Sequence, residues 1–352
     1  MEIRYHYSLK RHNTFGMDVS CTCFAGYRSA EELVEFFASG RQYDLPRPFL
    51  HIGSGSNLLF TKDFPGTVFH SDIRFIRELP EKDGKIRIET GAGTVWDDVC
   101  EWCAVHGLWG AENLSGIPGE AGAAAVQNIG AYGAEFKDIV SEVHCFDAVT
   151  CSIRTIKKDE CRYGYRDSVF KQSAKGRYIV TSVILEFSPE AGPKLDYGQV
   201  EAEVKKVMDG IPGAPLTPRI VRSVILDIRG SRLPDPAETG NAGSFFKNPV
   251  VPKPFYDKVA NYARSKYGPD YPVPHFDAGS GFVKIPAAWL IEQCGWKGYS
   301  EGNVGVYLKQ PLVLVNATGK ARPEEILALE KKITASVQDI MGITLVPEVE
   351  HI

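Results

Sequence analysis

A run of small residues near the centre of the chain, residues 113–133, constrains the fold and the function more than any other segment. Five of these residues are glycines, which adopt positive φ values and let a ligand approach the backbone closely because they lack a Cβ atom. Few side chains here have hydrogen-bonding reach, so recognition would rest mostly on backbone N–H and C=O groups. The alternative is a small-residue turn between two packed layers, but a plain turn does not need about twenty such residues. We therefore interpret the segment as main chain wrapped around a flat or phosphorylated ligand.

The length and composition of the chain limit the class of protein, and therefore the kind of ligand, to which this segment can belong. At 352 residues the chain is longer than one hydrophobic core usually supports, so we expect two or three domains. A net charge of −4 and the lack of a basic run argue against a nucleic-acid partner. The longest apolar stretches, such as residues 179–187, are too short to span a membrane, and the N-terminus has no apolar signal region. We therefore predict a cytoplasmic protein with a small-molecule ligand and no nucleic-acid or membrane partner.

The eight cysteines are predicted to be reduced thiols, because the sequence shows no export signal. Cys100 and Cys103 form a Cys-x-x-Cys pair, but residues 94–106 have helical periodicity and no second pair stands at zinc spacing. Thr94 and Asp97 have the spacing of a capping box at the start of this helix. The predicted apolar face comprises Val95, Val99, Trp102 and Cys103. The pair is therefore predicted to lie in a hydrophobic core, and no metal site is predicted.

An apolar strand at residues 49–52 runs into a short polar loop, Gly53-Ser-Gly-Ser-Asn57. Consecutive N–H groups of such a loop can form an anion-binding nest for a diphosphate. The loop is not a P-loop, since it lacks Gly-Lys-Ser/Thr, and it is not a dinucleotide-binding fingerprint, since an apolar strand follows it. Taken alone, it indicates an anion site only weakly.

Two further segments concentrate residues suited to catalysis. Residues 161–168 bring two tyrosines, two arginines and an aspartate into one turn, where the planar fork of Arg166 could bind a carboxylate. The alternative is that Arg166 pairs with Asp167 or another acid in a surface network. In residues 240–249, Ser244 stands between glycines and two phenylalanines, so a ligand could meet its hydroxyl in a dry pocket. A serine in a glycine turn above a Phe-Phe core contact explains that pattern equally well.

The order of these motifs resembles the UDP-N-acetylenolpyruvoylglucosamine reductases, the MurB family. The matching motifs are the loop at 53–57, Gly-Ala-Gly at 91–93, Ile-Pro-Gly-x-x-Gly at 117–122 and Gln-Asn-Ile-Gly-Ala-Tyr-Gly at 127–133. Tyr-Gly-Tyr-Arg-Asp-Ser at 163–168, Gly-Asn-Ala-Gly-Ser at 240–244 and Pro-Glu-Val at 347–349 extend the match almost to the C-terminus. A Tyr-Gly loop at 197–198 lies in an insertion that is similar to the longer, type I form.

The resemblance implies an α+β protein whose FAD-binding fold is of the vanillyl-alcohol-oxidase/PCMH type. Two α+β subdomains would bind FAD, and a C-terminal α+β domain would bind the substrate. The implied boundaries are residues 1–72 with 342–352 for the first subdomain, 73–233 for the second, and 234–341 for the substrate-binding domain.

The resemblance also implies roles for individual residues. It assigns catalysis to Arg166, Ser244 and Glu348. It assigns FAD binding to Gly53, Ser54, Gly55, Ser56, Asn57, Ile117, Pro118, Ala123, Val126, Asn128, Gly130 and Arg229. It assigns substrate binding to Tyr132, Tyr165, Tyr197, Arg232, Asn248 and Gln310.

Two positions depart from the pattern of a close relative. Arg232 stands where that relative has lysine, so its assignment to the substrate or to an NADPH phosphate stays open. Val346 stands where the relative has an acid, which leaves Glu348 as the one acid directly beside Pro347. We predict a strand over residues 346–350, on which Glu350 would share a face with Glu348.

The implied activity is the NADPH-dependent reduction of UDP-N-acetylglucosamine enolpyruvate, a step of peptidoglycan precursor synthesis. Hydride would pass from flavin N5 to the enolpyruvyl carbon, Arg166 and Glu348 would stabilise the developing charge, and Ser244 would supply the proton. FAD is expected to bind noncovalently, because no histidine stands at the usual attachment position and His51 precedes the loop. A monomer is expected. A related flavin oxidase and a catalytically idle nucleotide-sugar-binding protein remain as alternatives.

Overall fold

A computed structural model describes residues 1–352. The helices are α1 (Ala30–Ala38), α2 (Trp96–Val105), α3 (Ala121–Gln127), α4 (Val200–Asp209), α5 (Pro218–Arg232), α6 (Lys253–Tyr267), α7 (Ala287–Gln293) and α8 (Pro323–Met341). The first ten strands are β1 (Glu2–Ser8), β2 (Ser20–Tyr27), β3 (Phe49–Ile52), β4 (Leu58–Leu59), β5 (Phe64–Ser71), β6 (Ile76–Lys82), β7 (Lys85–Gly91), β8 (Gly130–Ala131), β9 (Ala134–Glu135) and β10 (Val140–Asp147). The others are β11 (Ser152–Lys157), β12 (Tyr178–Phe187), β13 (Gly240–Asn241), β14 (Val250–Pro252), β15 (Phe276–Asp277), β16 (Phe282–Lys284), β17 (Ser300–Glu301), β18 (Val304–Val306), β19 (Leu314–Asn316) and β20 (Glu350–His351).

The chain clusters into two compact units. Unit 1 comprises Met1–Tyr7, Ser20–Ser54 and Phe64–Gly230, and unit 2 comprises Ser8–Val19, Gly55–Asp63 and Ser231–Ile352. The three-part functional division expected from the sequence stays a prediction. In the structure, residues 342–352 belong to the same compact unit as the rest of the C-terminal region.

Unit 1 contains two principal sheets. The first has the order β1-β2-β5-β3, and β2 and β3 both run parallel to β5. The second is antiparallel, with the order β11-β10-β12-β7-β6. β12 lies at its centre and is buried on both faces, which accounts for its almost unbroken apolar sequence. Helix α1 packs its phenylalanines into a core that also takes Phe69 from the first sheet and Phe146 from the second.

Helices α2 and α3 share a core with the second sheet. Most of α3 is alanine, and a Cβ atom on Gly122 would lie 2.9 Å from the Cβ of Ala92. Small residues are therefore required where α3 meets the Gly-Ala-Gly segment at 91–93. Helices α4 and α5 form a separate apolar cluster of unit 1, centred on valine and isoleucine side chains.

Unit 2 contains an antiparallel sheet of order β13-β19-β18-β17, a second one of order β14-β16-β15, and the parallel pair β4–β20. Helix α8 presents an apolar stripe to this unit, and its side chains at Ile326, Leu329, Ile333 and Val337 are almost fully buried. Pairing with β4 holds the last residues of the chain in the same unit.

The capping box predicted at Thr94 and Asp97 is wrong. Helix α2 begins at Trp96, and the hydroxyl of Thr94 instead exchanges hydrogen bonds with the backbone of Phe75, at 3.1 Å in each direction. Of the predicted apolar face, Val99 and Cys103 are buried and Trp102 packs against the core, whereas Val95 is exposed. The buried residues of α2 are Trp96, Val99, Cys100, Cys103 and Ala104. The prediction that Cys100 and Cys103 lie in the core is confirmed, and both are free thiols.

The strand predicted over residues 346–350 is also wrong. Only Glu350 and His351 pair as a strand, and Pro347 forms an isolated bridge with Phe246. Proline has no backbone N–H to continue a ladder, so the segment stays irregular up to Val349. The argument that placed Glu350 on the same face as Glu348 therefore does not hold.

None of the helices has the length and apolar character needed to cross a lipid bilayer.

Candidate active site

The polar loop after β3 keeps its backbone donors unused within the protein. The carbonyl of Gly55 accepts hydrogen bonds from the N–H groups of Thr14 and Leu58, at 3.3 and 3.4 Å. By contrast, none of the four N–H groups of residues 54–57 is hydrogen-bonded to another protein group. Gly55 has a φ of +70°, and a Cβ atom there would lie 2.0 Å from the carbonyl oxygen of His12. The structure thus presents a run of donors of the kind that binds a diphosphate.

The small-residue segment at 113–133 serves packing as well as ligand binding. At the start of α3, the N–H groups of Ala121 and Gly122 donate to the carbonyls of Thr94 and Ala92, both at 2.9 Å. These donors are not available to a ligand, so the packing interpretation holds for this part of the segment. The methyl group of Ala123 lies 3.4 Å from where a Cβ atom on Gly53 would be. Unit 1 therefore places α3 against the start of the loop at residues 53–57.

Of the other FAD-assigned residues of the segment, Val126 lies on α3 and the rest lie on either side of this helix. Ile117 and Val126 are half-buried and pack against the core of unit 1, whereas Pro118 is exposed. Asn128 ends α3 in the left-handed conformation, with a φ of +45°. It is fully buried, its amide nitrogen donates to Gly164 O at 2.8 Å, and its amide oxygen accepts from Lys137 N–H at 2.9 Å. The side chain of Asn128 thus connects the end of α3 to the turn at residues 161–168.

Arg166 extends from that turn toward the same segment. Its guanidinium donates to the carbonyls of Gly130 and Asn128, at 2.5 and 3.5 Å, and a Cβ atom on Gly130 would lie 2.8 Å from Nη1. The carboxylate of Asp167 instead accepts hydrogen bonds from Gln172 Nε2 and the N–H of Ser168. Asp167 is thus engaged by residues close to it in the chain, and the role of Arg166 stays a prediction.

Four non-glycine residues of this segment and of the turn at 161–168 have positive φ values: Asn128 at +45°, Tyr132 and Arg162 both at +48°, and Arg166 at +54°. This conformation is uncommon for residues with a Cβ atom and persists only where the surroundings impose it. Such strain is concentrated at functional sites more often than elsewhere. It supports placing the predicted site in this part of unit 1.

Two tyrosines assigned to the substrate contact each other. The rings of Tyr132 and Tyr197 meet edge to face, with centroids 6.2 Å apart. Tyr197 is half exposed, and its Cβ atom lies 3.4 Å from where a Cβ atom on Gly133 would be. The amide nitrogen of Asn113 donates to Tyr132 O and to Lys194 O, at 2.7 and 2.8 Å, so it ties the Tyr197 loop to the segment.

Arg229 lies on α5 beside the same tyrosine. Its Nε donates to Gly116 O at 3.1 Å, and the side chain of Tyr132 is also a hydrogen-bond partner. Burial lowers the pKa of Arg229 below its ordinary value. Tyr165, by comparison, is exposed, and its ring faces the guanidinium of Arg166 at 5.4 Å. Unit 1 therefore brings together its assigned arginines and tyrosines around one segment.

In unit 2, Phe245 connects the residues on either side of the predicted proton donor. Its N–H donates to Leu312 O and its carbonyl accepts from Glu348 N–H, both at 2.8 Å. The side chain of Phe245 is fully buried, whereas the neighbouring Ser244 is exposed. The expectation that a dry pocket encloses Ser244 is therefore not met by unit 2 itself. Backbone hydrogen bonds within unit 2 instead place the half-buried Glu348 next to the segment that carries Ser244.

The remaining assigned residues of unit 2 are placed by similar contacts. The amide nitrogen of Asn57 donates to Glu348 O at 3.1 Å, which links the loop at residues 53–57 to the predicted catalytic glutamate. Gln310 lies at the turn before Leu312 and accepts a hydrogen bond from its N–H at 3.4 Å. Asn248 accepts from Ala287 N–H at 2.9 Å, so its amide oxygen caps α7. Arg232, the last residue of α5, is exposed.

His51 is integrated into the core of unit 1. Its Nε2 lies 2.9 Å from the hydroxyl of Tyr27, and its ring stacks on that of Phe69. Burial of the ring lowers the pKa of His51 to about 3, so the imidazole is neutral near pH 7. The imidazole is thus occupied by packing and by its hydrogen bond to Tyr27.

The sequence interpretation missed the hydrogen bonds that Asp97 makes to α5 and to the Gly116 turn. Asp97, expected to cap α2, instead accepts hydrogen bonds from Arg222 and from the N–H of Gly116. The available signal was the spacing of Arg222 and Arg229, which are seven residues apart on one helix.

The residues described here fit a bound FAD. The unpartnered N–H groups of residues 54–57 suit its diphosphate, and the glycines and alanines of residues 116–130 admit close contact along the backbone. No cluster of histidine, cysteine and acidic side chains in the structure could hold a metal ion.

Comparison with known proteins gives the family. Residues 235–352 match the model of the UDP-N-acetylenolpyruvoylglucosamine reductase C-terminal domain, and residues 22–154 match an FAD binding domain. The UDP-N-acetylenolpyruvoylglucosamine reductase of Bacteroides fragilis (strain YCH46) is 44% identical over 347 residues, which cover 98% of this chain and 99% of the relative. The enzyme of that name from Amoebophilus asiaticus is 40% identical over the full length of both chains.

A solved structure supports the fold. The crystal structure of UDP-N-acetylenolpyruvylglucosamine reductase from Thermus caldophilus aligns with a TM-score of 0.63 and 23% identity, over 99% of this chain and 98% of that one. The predicted α+β class and FAD-binding fold are confirmed by this match, by the FAD-binding model and by the mixed sheets and helices. The resemblance and the prediction of FAD as cofactor are likewise confirmed. The chain belongs to the UDP-N-acetylenolpyruvoylglucosamine reductase family and is an FAD-dependent oxidoreductase.

Proposed function

We propose that this protein reduces UDP-N-acetylglucosamine enolpyruvate to UDP-N-acetylmuramate, a step of peptidoglycan precursor synthesis. The observation that carries the proposal is the full-length identity to enzymes named for this substrate, together with the presence of all three catalytic motifs. FAD, held noncovalently by the loop at 53–57 and the segment at 116–130, would supply the hydride chemistry, with NADPH as the hydride donor. The protein residues bind and orient the substrate, stabilise its charge and supply a proton.

Arg166 is proposed to stabilise the charge that develops on the substrate. Addition of hydride to the terminal carbon of the enolpyruvyl group leaves negative charge that spreads into the carboxylate. A cation held in place before the reaction stabilises such charge more effectively than one that must reorganise. The two carbonyl contacts of Arg166 and its left-handed backbone support this role, because they restrict the guanidinium to one position.

Ser244 and Glu348 are proposed to complete the reaction. Ser244 would deliver its proton to the carbon next to the carboxylate, which restores a saturated centre, and Glu348 would act as a hydrogen-bonding partner. The hydrogen bond between the backbones of Phe245 and Glu348 supports a joint role, since it keeps the two segments in register. The exposure of Ser244 leaves its hydroxyl accessible to a substrate.

The other assigned residues would bind the nucleotide sugar. We assign Tyr132, Tyr165, Tyr197, Asn248 and Gln310 to the substrate, and Arg232 to a phosphate of either the substrate or NADPH. The contact between Tyr132 and Tyr197 supports a shared function for these two rings. We further propose that the enzyme acts as a monomer in the cytoplasm, and size-exclusion chromatography with light scattering tests the monomer directly.

Ser244→Ala tests the reaction, because the proton is needed only after hydride has left the flavin. In anaerobic stopped-flow experiments, reduction of the flavin by NADPH should proceed at nearly the wild-type rate. Reoxidation by UDP-N-acetylglucosamine enolpyruvate should slow by about 10⁴-fold, the upper end for loss of a positioned acid. Ser265→Ala, a change to an exposed serine on α6, is the matched control and should leave both half-reactions unchanged.

Two outcomes would contradict the assignment. Equal slowing of both half-reactions would mean that Ser244 shapes the flavin site, and unimpaired reoxidation would mean that another group delivers the proton. A wild-type protein whose reduced flavin is not reoxidised by this substrate would refute the proposed function itself.

A further inference from the structure

Helix α5 places two arginines against the turn at Gly116. Arg222 and Arg229 are seven residues apart, which is about two helical turns, so they lie on the same face. Arg222 binds Asp97 of α2 with both arms of its fork: Nη1 lies 2.6 Å from Oδ1 and Nη2 lies 2.9 Å from Oδ2. The Arg222 side chain is only 11% exposed, so little water competes for it. A bidentate, charge-assisted pair of this kind fixes orientation as well as contributing energy.

Both peptide groups of Gly116 are held by these side chains. Its N–H donates to Asp97 Oδ1 at 2.6 Å, and its carbonyl accepts from Arg229 Nε at 3.1 Å. Gly116 has a φ of +69°, and a Cβ atom there would lie 2.9 Å from Leu226 Cδ2 and 3.1 Å from Arg229 Nε. The turn is therefore packed directly on α5. Arg222 acts on Gly116 through Asp97, and Arg229 binds the carbonyl of Gly116 directly.

The carboxylate of Asp97 remains ionised in this position. Burial alone would raise its pKa, but the fork of Arg222 and the N–H of Gly116 outweigh that effect and hold the pKa below the ordinary value. Asp97 is in the first turn of α2, yet it makes no cap there. Its hydrogen bonds instead connect α2, α5 and the Gly116 turn.

We propose that Asp97 and Arg222 are positioning residues for the flavin, which act through Gly116 on the Ile117–Pro118 turn and on the guanidinium of Arg229. The inference rests on the assignment of Ile117, Pro118 and Arg229 to FAD made above. Asp97 and Arg222 do not touch the cofactor themselves. Without their ion pair, the N–H of Gly116 loses its fixed acceptor. The carbonyl of Gly116 is then no longer held in place to orient Arg229.

A second aspartate–arginine pair of unit 1 offers a matched control. Asp147 is fully buried and also receives both arms of an arginine: Arg177 Nε lies 3.0 Å from Oδ1 and Nη2 lies 2.7 Å from Oδ2. The carboxylate of Asp147 also accepts a hydrogen bond from the N–H of Val149 at 3.0 Å and lies 4.0 Å from Arg154 Nη1. None of these partners belongs to the 113–133 segment. Loss of this pair should therefore damage the protein without altering the cofactor site.

The test uses the full-length protein, with FAD removed and added back. Asp97→Asn, Arg222→Lys and Asp147→Asn are titrated with FAD by quenching of flavin fluorescence, and visible spectra and melting temperatures are recorded. Asp97→Asn should weaken FAD binding by about 10- to 100-fold, the scale of one lost charge-assisted hydrogen bond, and should shift the spectrum of the bound flavin. Arg222→Lys keeps the charge and loses the fork, so its effect should have the same direction and be smaller. Asp147→Asn should lower the melting temperature and leave the Kd for FAD and the spectrum as in the wild type.

The proposal would be overturned if both Asp97→Asn and Arg222→Lys bound FAD with wild-type affinity and a wild-type spectrum. The ion pair would then have only a structural role. An equal loss of affinity in Asp147→Asn would do the same, since it would show that any lost ion pair weakens binding. If Asp97→Asn does not fold, Arg222→Lys decides the question. None of these measurements uses the enolpyruvyl substrate, so their outcome is independent of whether the proposed reaction is correct.

Discussion

The two units hold their predicted functional residues in opposite ways. In unit 1, side chains hold the main chain: Asn128, Arg166 and Asp97 all donate to or accept from backbone groups of the small-residue segment or of the turn beside it. In unit 2, the main chain holds side chains: backbone hydrogen bonds at Phe245 join the Ser244 and Glu348 segments. Unit 1 thus presents a fixed surface, whereas unit 2 presents an exposed hydroxyl on a short irregular segment.

This difference matches the demands of the two proposed roles, which are cofactor binding in unit 1 and proton donation in unit 2. A bound cofactor that stays with the protein can be held by buried backbone whose conformation is over-determined, including residues with positive φ. A residue that must meet a substrate in each turnover has to remain accessible. Substitutions in unit 1 should therefore change cofactor binding, stability and rate together, whereas substitutions at the unit 2 segment should change the reaction with little effect on stability.

Arg166→Lys is expected to have the largest effect among the tests of this contrast. Lysine keeps the charge but cannot hold two carbonyls in the geometry of the fork, so the cation is no longer fixed where charge develops. We expect kcat to fall at least about 100-fold, the scale of a lost oxyanion-type donor, while substrate affinity changes little. Steady-state kinetics with UDP-N-acetylglucosamine enolpyruvate measure both quantities.

The control for that variant is Arg162→Lys. Arg162 is exposed in the same turn and also has a positive φ, of +48°. The same chemical change there should leave kcat within about twofold of the wild type, since surface substitutions are usually neutral. A loss confined to substrate affinity in Arg166→Lys would show that Arg166 binds the substrate and does not stabilise the transition state.

Alanine at two glycines compares the packing of the two units directly. Gly116 and Gly243 have nearly the same φ, +69° and +68°, but a Cβ atom on Gly116 would meet Leu226 and Arg229, whereas one on Gly243 would meet nothing within 4 Å. Gly243→Ala should lower the free energy of unfolding by about 1 kcal/mol, the conformational cost alone. Gly116→Ala adds overpacking and should cost about 3 kcal/mol.

Chemical denaturation of the two glycine variants, both as holoproteins, gives these values. Equal costs would mean that the close packing around Gly116 relaxes freely, and the contrast between a fixed and an accessible region would then fail at this point.

The smallest expected effect is the pH dependence of the stabilisation that one ion pair in each unit contributes. In unit 2, His351 lies 3.2 Å from Glu330, and this carboxylate raises the pKa of His351 above its ordinary value. The stabilisation is therefore fully present below about pH 6.5 and is lost as pH rises through the folded-state pKa. In unit 1, Arg177 lowers the pKa of Asp147 to about 2, so that pair does not change near neutral pH.

The wild type should therefore melt at a higher temperature than His351→Gln at pH 6, and this difference should be smaller at pH 8. The partly exposed pair should contribute well under about 1 kcal/mol. The difference between wild type and Asp147→Asn should stay constant over the same range. A pH-independent difference for His351→Gln would show that the pair with Glu330 does not stabilise the folded state.

The sequence alone determined the family, the cofactor and most secondary structure. Helix α1 illustrates why: Ser29 caps it as an ordinary local signal, and its apolar spacing predicts its buried face. The order of the motifs at 53–57, 91–93, 117–122 and 127–133 likewise resembled one family, and that resemblance implied FAD as the cofactor.

Only the tertiary structure decided which groups use each hydrogen bond. The spacing of Thr94 and Asp97 satisfies the local rule for a capping box, but Phe75, Arg222 and Gly116 offer competing partners that no local pattern reveals. The predicted strand at residues 346–350 failed for a similar reason, because the neighbours of Pro347 and Glu348 lie about a hundred residues away in the chain, at Phe245 and Phe246. Local sequence specifies which conformations are possible, whereas the partner that satisfies a buried polar group depends on contacts between distant segments.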